Sequence, residues 1–287
     1  MKVGIVGQKG NSRAASLAAT LCESLREEGV DIAVDETTAG ALQAAAHWDE
    51  PETRASYASV DIEEMDDRDL VVSIGGDGTF LFAVRGAGEA PLMGINLGEV
   101  GFLNAVAPGD AVEAVGDVVE EYFQNGEIPT REVPRLQARG DDWSLTPALN
   151  EVVVQGAQRG HGQGLDLEVR VNGSLYESGH ADGVLVSTPT GSTAYNLSEG
   201  GPLVHPVVEG FVVTEMCGDD TMPPLVVGYD STVTVRIDDA ESGVVVSDGR
   251  VVEEVAPPTQ ITIERAADPV RIAGPPLDFF TALGKLE

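Results

Sequence analysis

The chain has 287 residues, enough for a sizeable core and most naturally for two domains. Apolar residues make up 42%, a folding composition, yet 48 acidic residues against 17 basic ones leave a formal charge of −31. That excess argues against nonspecific nucleic-acid binding, and the longest apolar runs, such as Leu70–Ile74 and Val244–Val246, are far too short to span a bilayer.

The first third alternates strand and helix. Val3–Val6 reads as a short buried strand ending in glycines. Asn11 or Ser12 can cap a helix whose Leu17, Leu21 and Leu25 recur every fourth position, and Gly29 stops it. Val30–Val34 alternates like a strand, and the acidic stretch from Trp48 to Asp69 reads as loop or short helix. Strand Leu70–Ile74, helix Phe80–Arg85, strand Leu92–Asn96 and helix Asp110–Phe123 follow. Such alternation predicts parallel βαβ units with sites at the carboxyl ends of strands.

After Gly126 the pattern changes. Leu165–Val171 alternates apolar and charged residues and ends at Asn172-Gly173, a hairpin turn signal. Val244–Ser247 and Val251–Val255 flank a second such signal, Asp248-Gly249, and Thr232–Ile237 and Ile261–Glu264 also alternate. This half is predicted to be mainly β, with one short helix after Gly191. Leu277–Leu286 returns to a helical pattern that can pack back on the first domain. The expected organisation is therefore an N-terminal Rossmann-like α/β domain (1–126), a mainly-β domain (127–272) and a returning C-terminal segment (273–287).

The charge runs from Glu23 to Glu254 through otherwise foldable segments, so it is not a disordered acidic tail. Adaptation to a salt-rich cytoplasm accounts for it better, since at 1 M salt the Debye length falls to about 3 Å and self-repulsion is screened. Cys22 and Cys217 are too few and too far apart for a disulfide framework or metal cluster, and His47, His161, His180 and His205 show no ligand spacing. The expectation is no fixed protein metal site; a metal would arrive with a nucleotide. The start, MKVGIVG, lacks the features of a signal peptide, and the chain is read as soluble and cytoplasmic.

Two constellations carry chemistry. Gly75-Gly76-Asp77-Gly78-Thr79 stands between a buried strand and a helix, where glycines let backbone approach a phosphate and a helix N-terminus offers N–H groups. Asp77 there can accept a proton from an attacking hydroxyl or hold Mg²⁺; as a simple turn it would only cap the helix. Gly4-Ile5-Val6-Gly7-Gln8-Lys9-Gly10 is not the dinucleotide GxGxxG, and no Walker motif is present, so dehydrogenase and P-loop readings lose their usual support. The second string runs from Asp182-Gly183 through Thr188-Pro189-Thr190-Gly191-Ser192-Thr193-Ala194-Tyr195 to Ser198 and Gly200-Gly201-Pro202. Four hydroxyl residues crowd a helix start beside an aromatic that can pack on a base; a cap alone would need only Ser192 or Thr193.

The pair GGDGT and DG…TPTGSTAY…GGP, in that order, resembles the ATP/polyphosphate-dependent NAD kinase family. Asn150-Glu151 matches that family's NE pair and Gly101-Phe102-Leu103 its GFL segment. The likeness covers nearly the whole chain, including the closing Phe280…Leu283-Gly284-Lys285-Leu286, and is densest from Leu70 to Pro206. GGDGT alone is shared with lipid kinases, and similar loops occur in phosphofructokinases; the TPTGSTAY string is far more specific.

The resemblance implies transfer of a phosphoryl group from ATP or polyphosphate, with Mg²⁺ or another divalent metal, to the adenosine-ribose 2′-hydroxyl of NAD lying in an interdomain cleft. It implies Asp77 as the base, with Gly75, Gly76, Gly78 and Thr79 near the donor phosphates. Asn150 and Glu151 would bind NAD, Thr193, Ala194, Tyr195 and Ser198 would form the adenine-side wall, and Asp182 would contact the other ribose or the nicotinamide end. Phe102 would cover part of the NAD. The plainer readings are that Asn150 only begins a strand, Tyr195 packs a helix and Phe102 is core. The sequence departs from the family at Cys217–Pro224, which lacks the His, Ser and Arg of the usual PHSLSxRP-like stretch. His180 stands where some relatives place an arginine, and Arg250 in Asp248-Gly249-Arg250 replaces the amide of DGQ, setting a cation near phosphate. These departures bear on acceptor preference and on contacts within an expected homo-oligomer, a dimer or tetramer. The competing readings are a non-catalytic NAD(P)-binding paralogue and a lipid kinase; the chain has no basic or amphipathic membrane-facing segment to suit the latter.

Overall fold

The computed structural model describes residues 1–44, 57–98, 102–156, 164–218 and 222–284. His47, Trp48, Gly101, His161, Asp219–Thr221, Lys285 and Leu286, all invoked above, lie outside these. The chain divides into two compact units, Met1–Glu132 with Val270–Glu287, and Val133–Pro269.

The first unit opens with strands β1 (Lys2–Gly7), β2 (Asp31–Asp35), β3 (Ala58–Val60), β4 (Leu70–Gly75), β5 (Leu92–Asn96) and β6 (Thr130–Val133). Its helices are α1 (Ser12–Glu27), α2 (Glu36–Ala44), α3 (Asp77–Gly86) and α4 (Ala111–Asn125). The second unit holds β7 (Leu136–Arg139), β8 (Glu151–Gly156), β9 (Leu165–Val171), β10 (Ser174–Ala181), β11 (Gly183–Ser187), β12 (Gly210–Met216), β13 (Leu225–Gly228), β14 (Val233–Asp239), β15 (Gly243–Ser247), β16 (Val251–Val255) and β17 (Thr259–Arg265). A four-residue helix, α5 (Tyr195–Ser198), follows a 3-10 turn at Gly191–Thr193. The chain then returns to the first unit with β18 (Val270–Ala273) and α6 (Phe279–Leu283).

The first unit is a doubly wound sheet in the order β3-β2-β1-β4-β5-β18-β6. The pairs β1–β2, β1–β4, β2–β3, β4–β5 and β5–β18 are all parallel. Every residue of β4 and β5 is buried, as strands covered on both faces require. Helix α1 is capped by Asn11, whose Oδ1 accepts the Arg13 N–H at 3.0 Å, and it buries Ala14, Ala18, Leu21, Cys22 and Leu25. Leu17, expected on the same face, is only partly buried. Helix α4 ends at Gly126, whose φ of 78° is the left-handed conformation that glycine adopts without penalty.

Helix α2 has no clear apolar period and was not legible. It is started by the buried carboxylate of Asp35, which accepts the Thr37 N–H at 3.0 Å and the Thr38 hydroxyl. Helix α3 begins at Asp77 rather than Phe80, because Asp77, Gly78 and Thr79 already form its first turn after the extended Gly76. In the stretch read as loop or short helix, a short 3-10 helix, Ile62–Asp67, does form, and the unexpected strand β3 precedes it.

The second unit packs two antiparallel sheets, β10-β9-β14-β17-β7 and β13-β12-β11-β8-β15-β16. Val169, Val235, Ile261 and Ile263 of the first share one core with Val152, Val154, Val184, Val186, Val213 and Val245 of the second. Each such side chain contributes about 1.5–3 kcal/mol by leaving water. Both expected hairpins form: φ is 50° and 80° at Asn172 and Gly173, and 46° and 66° at Asp248 and Gly249, the primed-turn geometry that suits strand twist. β8 and β11 are central, so the ends of these two strands are held from both sides.

Candidate functional site

In the first unit β1 lies between β2 and β4, the point where the strand order reverses. Ligands bind outside the carboxyl ends of the strands at such a point. The loops there are Gln8–Asn11 after β1 and Gly76–Thr79 after β4. Gly75 is glycine for a packing reason, since a Cβ would run into Thr79 and lie 3.0 Å from Gln8 Cβ. Among the described residues nothing lies within 4 Å of a Cβ position at Gly76 or Gly78, and neither has a positive φ, so their described surroundings give no folding reason for either. Open space over the backbone is what close approach of a phosphate requires. Gly76, the N-cap of α3, has no side chain to satisfy the first-turn N–H groups.

Asp77 does not cap α3. Its half-buried carboxylate reaches across to the segment after Gly101: Oδ2 accepts the Phe102 N–H at 3.0 Å, while Oδ1 accepts the Leu103 N–H at 3.2 Å and Asn104 Nδ2 at 3.3 Å. Burial pushes its pKa above the ordinary carboxylate range, and these three donors pull against that. The Phe102 ring lies 5.8 Å from that of Phe279 on α6, so the returning segment supports it.

In the second unit Asn150 immediately precedes β8 and Glu151 begins it, both buried. The Asp248 carboxylate, at the tip of the β15–β16 hairpin, accepts the N–H groups of Leu149, Asn150 and Glu151 at 2.8, 2.8 and 3.2 Å. Glu151 faces that carboxylate and also accepts the backbone N–H of Tyr195. Burial first, and the neighbouring Asp248 second, push Glu151 up to about 8, and its buried Oε2 has no hydrogen-bond partner among the described residues.

The hydroxyl-rich string is largely a scaffold. Thr188 Oγ1 donates to Leu149 O at 2.6 Å and accepts the Gly191 N–H at 3.0 Å; Ser192 Oγ donates to Pro189 O at 2.7 Å. Asn196 donates to Pro202 O and accepts from Thr214. A Cβ at Gly191 would run into the Asn150 carbonyl, so this turn must lie directly on the Asn150–Glu151 pair. Thr193, Ala194 and Tyr195 remain partly exposed and Ser198 exposed, although the Thr193 hydroxyl already bonds to Thr190 O at 3.1 Å. Tyr195 also packs on Val153, Leu185 and Met216.

The candidate residues of this unit fall in two places. Ser187 pairs with Glu151, whereas Gly183 pairs with Gln155, so Asp182 and His180 lie at the other end of β11 from Tyr195. Five residues of strand separate them, about 17 Å. His180 is exposed, with Nδ1 3.0 Å from Asp166 Oδ1, and Arg250 is exposed beside Asp248.

The sequence reading passed over Asn104, the anchoring role of Asp248, and the cations Lys9 and Arg13 after β1. Neither of those two has an ion-pair partner among the described residues, whereas Lys2, Arg68, Arg139, Arg170 and Arg236 do. In a chain with 17 basic residues, two so close together after β1 were a usable signal. Among the described residues no group of three or more His, Cys, Asp or Glu is gathered as a metal site. No helix among them is long and apolar enough to cross a membrane.

The first unit thus carries a glycine loop at the switch point of a doubly wound sheet, and the second a buried Asn150-Glu151 pair. Residues 3–125 match the ATP-NAD kinase N-terminal domain and residues 149–273 the ATP-NAD kinase C-terminal domain. The chain belongs to the NAD kinase family. It is 61% identical to a NAD kinase of Haloarcula marismortui and 56% identical to one of Halobacterium salinarum, in both cases over 100% of each chain. Among solved structures it is similar to an Archaeoglobus fulgidus NAD kinase in complex with ATP (TM-score 0.76, 25% identity, 100% of this chain and 98% of that one). It also shares the fold of yeast NADH kinase complexed with NADH (TM-score 0.83, 23% identity, 100% and 87%).

Proposed function

We propose that this protein transfers the terminal phosphoryl group of ATP, or of polyphosphate, to the 2′-hydroxyl of the adenosine ribose of NAD, giving NADP. The observation that carries this reading is Asp77, a carboxylate held by three donors at the edge of a loop whose Gly76 and Gly78 have no folding reason in their described surroundings. Asp77 takes the proton of the 2′-hydroxyl, the freed oxygen attacks the terminal phosphorus, and the bond to the departing phosphate chain breaks. Such a step asks for positioning and charge neutralisation more than covalent help. Gly75, Gly76, Gly78 and Thr79 serve the donor phosphates, and a divalent metal such as Mg²⁺ arrives bound to them as part of that substrate. A raised pKa suits a base that must release its proton again.

Asn150, Glu151, Thr193, Ala194, Tyr195 and Ser198 hold the adenosine end of NAD. Asp182 and His180, a strand length away, suit its other end, since a dinucleotide is long enough to use both. Phe102 covers the ligand from the first unit's own loop, and Arg250 supplies a cation beside Asp248. The exposed Leu203, Val207, Val208 and Val226 of the second unit support a homo-oligomer, a dimer or tetramer, and the acidic composition supports a salt-rich cytoplasm.

Purified protein given Mg²⁺, NAD and either ATP or polyphosphate is expected to form NADP. Binding of NADP without formation of any, from low to molar salt, would favour the non-catalytic NAD(P)-binding reading instead.

A further inference from the structure

The segment after Gly101 is pinned to the end of β5. The Val106 N–H donates to Gly94 O at 3.2 Å and the Asn96 N–H to Val106 O at 2.8 Å. Within it Asn104 is 1% exposed. Its side chain lies over Gly94, where any Cβ would run into the amide oxygen. That oxygen is buried and has no hydrogen-bond partner among the described residues. A buried amide with an orphaned carbonyl is destabilising, and a leucine of similar size would fill the space without that cost. Among the described residues, the side chain's one hydrogen bond is from Nδ2 to Asp77 Oδ1.

The two oxygens of Asp77 are consequently unequal. Oδ1 receives two donors, Leu103 N–H and Asn104 Nδ2, and Oδ2 receives one, from Phe102. We infer that Asn104 is a positioning residue that turns Asp77 so that Oδ1 is the anchoring oxygen and Oδ2 the one that takes the substrate proton. The inference rests on the reading of Asp77 as the base. Asn104 acts only through Asp77: it fixes the rotation of the carboxylate and, by donating to the charged form, favours that form against burial. The causes of the Asp77 shift are burial and these three donors; no ionised side chain of α3, β4, β5 or the 102–106 segment is among them.

The test compares Asn104→Leu, which keeps volume and removes the donor, with Asn104→Asp, which keeps shape and replaces the donor by an acceptor. Thermal unfolding shows which variants fold, and the Asp variant decides the matter if the Leu variant does not. Both are expected to lower kcat about tenfold, as misplacement of a reacting group does, with the KM for NAD within about twofold. The acid limb of the pH–kcat/KM profile is expected to move up by about one pH unit, further for Asn104→Asp. A folded variant with unchanged kcat and an unmoved acid limb overturns the inference. Asp77→Asn separates the two levels: retained turnover there overturns the base reading and this inference with it. Lost turnover there, with an unmoved limb in the Asn104 variants, overturns only the positioning role.

Discussion

Asp248 Oδ1 lies 2.8 Å from the backbone nitrogen of Asn150, 98 positions earlier in the chain. One carboxylate on a hairpin tip thereby anchors Asn150 and the start of β8 at Glu151, taking three consecutive N–H groups. Asp248→Ala leaves those three donors without their acceptor, at a cost of about 3 kcal/mol. Denaturant unfolding is expected to register that loss, and calorimetry a weakened affinity for NAD. Stability within experimental error of the parent would show that water replaces the carboxylate.

Glu151 gives a pH dependence of defined sign. Its carboxyl titrates near 8 in the folded protein and near its ordinary value when unfolded. Between those two values the folded state binds the extra proton, so the contribution present at low pH declines as pH rises through the window and is gone above the folded value. Glu151→Gln removes this dependence. Melting temperatures across pH 5 to 8.5 should therefore converge at the acid end, with the Gln protein about 1–3 kcal/mol the more stable at the alkaline end. Parallel curves would place the Glu151 proton elsewhere.

Asp77→Asn is expected to reduce turnover by about 10² or more while NAD still binds. The same substitution returns an amide to a place where three donors converge, so part of the effect is local repacking. A binding isotherm and a melting curve on the same sample separate the two.

The cysteines differ in accessibility. Cys22 is buried in α1, and burial pushes its thiol up to about 12, whereas Cys217 is exposed. Iodoacetamide should modify Cys217 alone in the folded protein and reach Cys22 only in denaturant. Equal labelling of both in native buffer would mean that α1 opens readily.

Salt should raise stability and activity together. With a formal charge of −31 the folded chain repels itself and its anionic substrates, and molar KCl screens both effects gradually. Melting temperature and NADP formation followed from about 0.05 M to about 2 M KCl are expected to climb in step. A flat response would remove salt adaptation as the reason for the acidity.

What the sequence made legible was whatever depends on local grammar. β9 ends where its alternation ends, and both Asn-Gly and Asp-Gly turns form as their residues demand. The family strings located the loop after β4 and the turn after β11. What stayed hidden depends on distant partners. The short β7 and β18 become strands because other strands accept them, not because four residues carry a pattern. Asn104 reads as one polar residue after an apolar pair; only the fold puts it against a carboxylate 27 positions away. Nor could spacing show that Ser192 and Asn196 spend their polar groups on the turn itself.

The place of β18 fixes an order of assembly. It lies between β5 and β6, although β6 precedes it by more than a hundred residues, so the parallel sheet has a gap until the strand beginning at Val270 is delivered. On the ribosome, Val133–Pro269 emerges complete while Met1–Glu132 still lacks an interior strand. The later part of the chain can therefore be the first to reach its final form. A chain ending at Pro269 would leave β6 with no neighbour and the β5 edge without its partner at Leu92, while Val106 still pairs with the end of that edge.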